Sequence, residues 1–113
     1  MKIYISGKIS GLTTEEALNN FERAEKKLSE NQWSLDSVYD RPKRTFGSVN
    51  ELVNPMKLEH NHNKSWEEFM KEDIGALLSC DAIYLLKNWG DSRGARIERA
   101  IALELGITIL YEV

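Results

Sequence analysis

Cysteine is almost absent from this 113-residue chain: Cys80 stands alone, so neither an internal disulfide nor a cysteine zinc cluster can form. Placed after Leu77-Leu78-Ser79 and before an apolar run, it has the setting of a buried structural thiol rather than a nucleophile. Proline occurs twice, at Pro42 and Pro55, and the pair excludes one continuous element across that stretch. No run of 18 apolar residues exists, and the N-terminus leads directly into a short β-prone segment; a soluble cytoplasmic protein without a membrane partner is expected. The net charge is only −3, with both signs mixed along the chain, which argues against a nucleic-acid partner because that needs a concentrated basic face. Arg41, Lys43 and Arg44 form the only tight basic group, in a polar stretch that reads as a solvated loop. His60, Asn61 and His62 lack further ligands nearby, so they read as a surface tract and no metal site is expected.

What is present reads as a single domain, residues 1–113, with a modest core that favours docking against a second copy as a homodimer or higher homo-oligomer. Lys2 to Ser6 is a short strand pattern ending at Gly7. Thr13 and Glu16 have capping-box spacing, and Ala17, Phe21, Ala24 and Leu28 recur at intervals of three or four, which predicts a helix to about Glu30. Ser65 and Glu68 repeat the box ahead of a second helix to about Ser79, whose packed side carries Trp66, Phe69, Met70, Ile74, Leu77 and Leu78. Asp73 sits on that stripe, where a charge is costly unless it is paired or reaches water. Asp81 to Leu86 is a buried strand, Ser92 caps a third helix that Gly106 ends, and Ile107 to Tyr111 is the last strand. Between Asn31 and Lys64 one short strand is expected, at Trp33–Val38 or Glu51–Val53. The alternation implies an α/β three-layer sandwich with a mostly parallel sheet of four or five strands, flavodoxin- or Rossmann-like.

In such a sheet the ligand crevice lies beyond the carboxyl ends of the strands, where strand order reverses. Two loops meet there: Ser6-Gly7-Lys8-Ile9-Ser10-Gly11, and Asn88-Trp89-Gly90-Asp91-Ser92-Arg93-Gly94. Neither matches a phosphate-binding P-loop or a dinucleotide fingerprint. Glu98 lies six residues past Ser92, with the small residues Ala95 and Ala102 on its helix face. Spacing leaves two placements open: a surface glutamate pairing with Arg93, Arg96 or Arg99, or a carboxylate facing the crevice. In the second case Asp73 and Glu98 on separate helices would suit glycosyl transfer, one carboxylate attacking the sugar carbon while the other assists.

Tyr4-Ile-Ser-Gly-Lys-Ile-Ser-Gly11, Asn54-Pro55, Trp66 to Asp73, Cys80-Asp81 and Trp89-Gly-Asp-Ser-Arg-Gly-Ala-Arg-Ile-Glu98 resemble, in that order, the nucleoside 2-deoxyribosyltransferase-like superfamily. The resemblance is closest to its small phage and bacterial branch, a domain of unknown function of the 4406 type, and it fails mainly between Ser34 and Glu51. It implies that Glu98 is the nucleophile at C1′ of a deoxyribonucleoside, that Asp73 holds the sugar or assists at the base, and that Tyr4 lies beside both. It implies that Ser6, Gly7, Ile9 and Gly11 wall the site, with Trp89, Asp91, Ser92, Arg93 and Gly94 around the sugar and its 5′ end, where Arg93 or Arg96 would attract a phosphate. No metal or organic cofactor is required by that chemistry. Two functions are therefore expected to compete: an N-glycosidase or deoxyribosyltransferase acting on a nucleoside or its 5′-monophosphate, and a nucleoside- or nucleotide-binding protein without turnover, of the kind a phage or mobile element would use as a sensor.

Overall fold

The computed structural model of the protein describes residues 1–35, 49, 51–58 and 65–113. The Arg41–Lys43–Arg44 group and the His60–His62 tract lie outside the described residues. In chain order the elements are β1 (Lys2–Ser6), α1 (Thr14–Ser29), β2 (Ser34–Leu35), β3 (Glu51–Val53), α2 (Trp66–Leu78), β4 (Ala82–Leu85), α3 (Arg93–Leu105) and β5 (Thr108–Tyr111), with single 3-10 turns at Pro55–Lys57 and Trp89–Asp91. Among the described residues no helix is long and apolar enough to cross a membrane.

The helices begin where side-chain oxygens can satisfy the first free amides. Thr13 accepts from the Glu16 amide at 3.1 Å, Ser65 from Glu68 at 3.2 Å and Ser92 from Ala95 at 3.1 Å. Gly106 ends α3 in the left-handed region, at φ 72°.

The sheet order is β2-β5-β4-β1-β3, all parallel except β2, which runs antiparallel to β5. Ser34–Leu35, from the first candidate segment, and Glu51–Val53 both form strands, where one was expected; residues 36–38 lie outside the described residues. Glu51–Val53 pairs with Lys2–Tyr4, while Ser34–Leu35 pairs with Leu110 and Tyr111 at the opposite edge. Leaving β2 aside, strand order reverses between β1 and β4, which is where a doubly wound sheet opens a crevice.

The period-two alternation of the strands sorts side chains between two helix layers. Ile3, Ile5, Tyr84, Leu86 and Leu110 pack with Phe21, Ala24 and Leu28 of α1. Tyr4, Ile83, Leu85 and Ile109 face the other way and pack with Leu77 of α2 and Ala102 of α3. The central strands are therefore buried on both faces. Cys80 belongs to the second layer; its thiol donates to the Ala76 carbonyl at 3.3 Å, and burial pushes it above the usual thiol range. Leu78, expected on the packed side, is 53% exposed. The buried stripe of α2 runs through Met70, Asp73 and Leu77, and Leu78 lies a further 100° around the helix.

Around the buried Glu112 carboxylate lies an ion-pair network with no local signature in the sequence. The Glu112 carboxylate receives Arg23 Nε at 2.8 Å, Lys27 Nζ at 3.1 Å and the Lys87 amide at 2.9 Å. Burial alone would raise the pKa of Glu112; these donors outweigh it and pull the group down to about 2. A carboxylate depressed from 4.5 contributes stability that is complete above that pH and is lost as pH falls toward 2. Glu112→Gln is expected to lower the unfolding free energy at pH 7 by about 2 kcal/mol and to flatten the acid limb of stability against pH, both read by urea denaturation.

Candidate functional site

A cleft of about 880 Å³ opens at the reversal of strand order, within the usual size of small-molecule sites. Its floor is the end of β1, where alternation turns Tyr4 and Ser6 toward α3 while Ile3 and Ile5 face α1. One wall is the N-terminal half of α3, and the other is α2 with the turn at Pro55–Lys57.

Glu98 is only 5% exposed and takes a hydrogen bond on each carboxylate oxygen. The Tyr4 hydroxyl donates to Oε2 at 2.6 Å and the Ser6 hydroxyl to Oε1 at 2.7 Å. These are the short distances of charge-assisted bonds. The arginines nearest in sequence are used elsewhere: Arg93 lies over the Trp66 ring at 4.6 Å, Arg96 Nη1 donates to the Gly90 carbonyl at 3.4 Å, and Arg99 Nε donates to the Tyr111 hydroxyl at 2.9 Å. Of the two placements open for Glu98, the structure has the buried one.

Burial pushes the Glu98 carboxyl up, the hydrogen bonds from Tyr4 and Ser6 hold it down, and the Asp73 charge raises it again, leaving it near 7. The same burial, with Glu98 and Asp73 nearby, drives the Tyr4 phenol far above its ordinary range, so it stays a proton donor at neutral pH. Asp73, 8% exposed on α2, lines the same cleft. Glu98, Asp73 and Tyr4 thus border one cavity.

Ser6, Gly7, Ile9, Asp91, Ser92, Arg93 and Gly94 also line it. Gly11 and Trp89 do not. Gly11 occupies a turn at φ 86°, and the Trp89 ring turns toward β5, 5.9 Å from the ring of Tyr111 with the Arg99 guanidinium 5.2 Å away. Two of the glycines also sit at close packing contacts, severe at Gly7 and relieved at Gly94 by a small shift of the flexible Met70 side chain. A Cβ on Gly7 would lie 2.5 Å from Leu86 Cδ1, and one on Gly94 would lie 3.0 Å from Met70 Sδ. Gly7 thereby lets the loop settle on β4, and Gly94 lets α3 approach α2.

Trp66, Phe69 and Met70 form an apolar wall that the sequence analysis assigned to the core. The signal was Asp73 on the same stripe, since a helix that buries a carboxylate between apolar residues is facing more than hydrocarbon. Among the described residues no group of three or more His, Cys, Asp or Glu is arranged to hold a metal ion.

The pattern of one protein family, described as Domain of unknown function (DUF4406), matches residues 40–111. The chain belongs to that family. The DUF4406 match takes in Asp73, the loop after β4 and Glu98, whereas Tyr4 and Ser6 precede it. No curated protein and no solved structure matches the chain.

A carboxyl raised from 4.5 to about 7 binds its proton longer in the folded than in the unfolded chain, so its ionisation lowers stability as pH rises through that window. Glu98→Gln is therefore expected to be the more stable protein at pH 8, by about 2 kcal/mol, and to lose that decline. Urea denaturation of both proteins at pH 5 and pH 8 reads the difference.

Proposed function

We propose that this protein breaks the N-glycosidic bond of a deoxyribonucleoside or its 5′-monophosphate, with Glu98 as nucleophile, and passes the sugar to water or to a second base. The observation that carries the reading is the Glu98 carboxylate, buried at the floor of a cleft, oriented by Tyr4 and Ser6 and accompanied by Asp73. The ordered motif resemblance to the nucleoside 2-deoxyribosyltransferase-like superfamily supplies the substrate class.

In the first step a Glu98 oxygen bonds to C1′ while the C1′–N bond breaks, its electron pair leaving with the base, which takes up a proton. Asp73, on the α2 wall, orients the water that relays that proton from solvent. In the second step water or an acceptor base attacks C1′ and the Glu98 carboxylate departs, the nucleophile's proton leaving to solvent by the same relay. Tyr4 and Ser6 fix both oxygens of Glu98 and favour its ionised form. The apolar wall of Trp66, Phe69 and Met70 suits a flat base, and the mouth near Ser92 and Arg93 suits the 5′ end. The reading includes a cytoplasmic homodimer or larger homo-oligomer and no cofactor.

The test is incubation with a panel of deoxyribonucleosides and their 5′-monophosphates, with and without an acceptor base, followed by measurement of free base. Release is expected from the parent, with kcat/KM rising with pH to a plateau about a midpoint near 7 as Glu98 ionises. Glu98→Gln is expected to lower release by roughly 10³-fold or more. Equal release by both proteins would remove Glu98 from the chemistry. Substrate binding by the parent without any release would make the cleft a receptor instead.

A further inference from the structure

Asn88 breaks a local rule. An asparagine directly before a helical turn ordinarily caps it, yet the Asn88 side chain makes no capping bond to the turn Trp89–Asp91. Its Oδ1 instead accepts the amide proton of Lys8 at 3.0 Å, across 80 residues of sequence. The neighbouring Lys87 amide, on the same loop, donates to Glu112 Oε1 at 2.9 Å, and Glu112 is itself held by Arg23 and Lys27 of α1. One continuous line of contacts thus runs from α1 through Glu112 and the loop after β4 to the loop after β1.

Ser6 is the last residue of β1, and strand ends fray unless the chain beyond them is fixed. Its carbonyl accepts from the Leu86 amide at 2.9 Å, and the next anchor is Lys8, with the flexible Gly7 between them. We propose that Asn88 is a positioning residue of the cleft: by tying Lys8 to the loop after β4 it holds the Ser6 hydroxyl on the Glu98 carboxylate, with Glu112 anchoring the far end of the tie. This role rests on Glu98 being the reactive group of the cleft. The tie itself can be read without turnover.

The groups facing Glu98 are Tyr4 and Ser6 from β1 and Asp73 from α2, with Lys8, Asp91, Arg93 and Arg96 elsewhere on the cleft wall. Asn88→Ala removes none of them but frees Lys8, so both proteins are also titrated in a Lys8→Met background, where a moved titration of Glu98 reports the Ser6 contact. The experiment is carboxyl NMR titration of Glu98 together with hydrogen exchange at the Lys8 amide, in the parent, Asn88→Ala, Asn88→Asp and Ser6→Ala. Asn88→Ala is expected to speed Lys8 exchange roughly tenfold, as for one lost hydrogen bond. It is also expected to raise the Glu98 midpoint by about half a pH unit, in the direction produced by Ser6→Ala, because a donor to the carboxylate is lost. Asn88→Asp, which keeps an acceptor for Lys8, restores slow exchange.

An unmoved Glu98 midpoint overturns the proposal even if Lys8 exchanges faster, and so does unchanged Lys8 exchange. A lower unfolding temperature with neither change would make Asn88 merely structural, which is also against it. Should Asn88→Ala not fold, Asn88→Ser, too short to span the gap, is read in its place; failure of both would make Asn88 a folding determinant and overturn the tie. Absence of base release in the nucleoside assay bears on the chemistry of Glu98 and leaves both readouts standing.

Discussion

The bonds from Tyr4 and Ser6 to Glu98 join β1 to α3, and the placement of the cleft depends on them. They require three things at once. The strand must alternate so that both hydroxyls share a face, α3 must carry small residues at Ala95 and Ala102 so that it can lie close, and the carboxylate must be buried. The first two are inexpensive. Burial of the acid is the costly one, because a carboxylate stripped of water is held by two neutral donors and faced by a second acid, Asp73.

Glu112 shows the other solution to the same problem. It too is buried, but Arg23 and Lys27 neutralise it, and its pKa falls while that of Glu98 rises. One fold thus holds two buried glutamates in opposite electrostatic states. The neutralised one braces the packing of α1 against the loop after β4, and the other stays poorly compensated at the cost of stability. That contrast supports the role proposed for Glu98.

Much of this was legible in the sequence because the signals are local. Thr13, Ser65 and Ser92 announce their helices through a side-chain oxygen three residues before the amide it serves, and the apolar period of α1 fixes its buried face. Spacing alone did not orient Glu98, since its partners lie more than 90 residues away on another element. The Glu112 network was hidden for the same reason, and Trp66, Phe69 and Met70 because an apolar stripe looks alike whether it meets a sheet or a cavity. Trp89 was placed with the cleft by its position in a loop, but side-chain direction is set by packing, and Tyr111 and Arg99 take it the other way.

The two-residue strand β2 has a role out of proportion to its length. It is antiparallel to β5 and covers the outer hydrogen-bonding groups at Leu110 and Tyr111. Without it the last parallel strand, whose Thr108, Ile109 and Leu110 are buried, would present a bare apolar edge able to recruit a strand from another molecule. The opposite edge is β3, cut off after three residues by Asn54 and Pro55, where proline cannot donate to a further ladder. Among the described residues, these two strands close the sheet on either side of its buried centre.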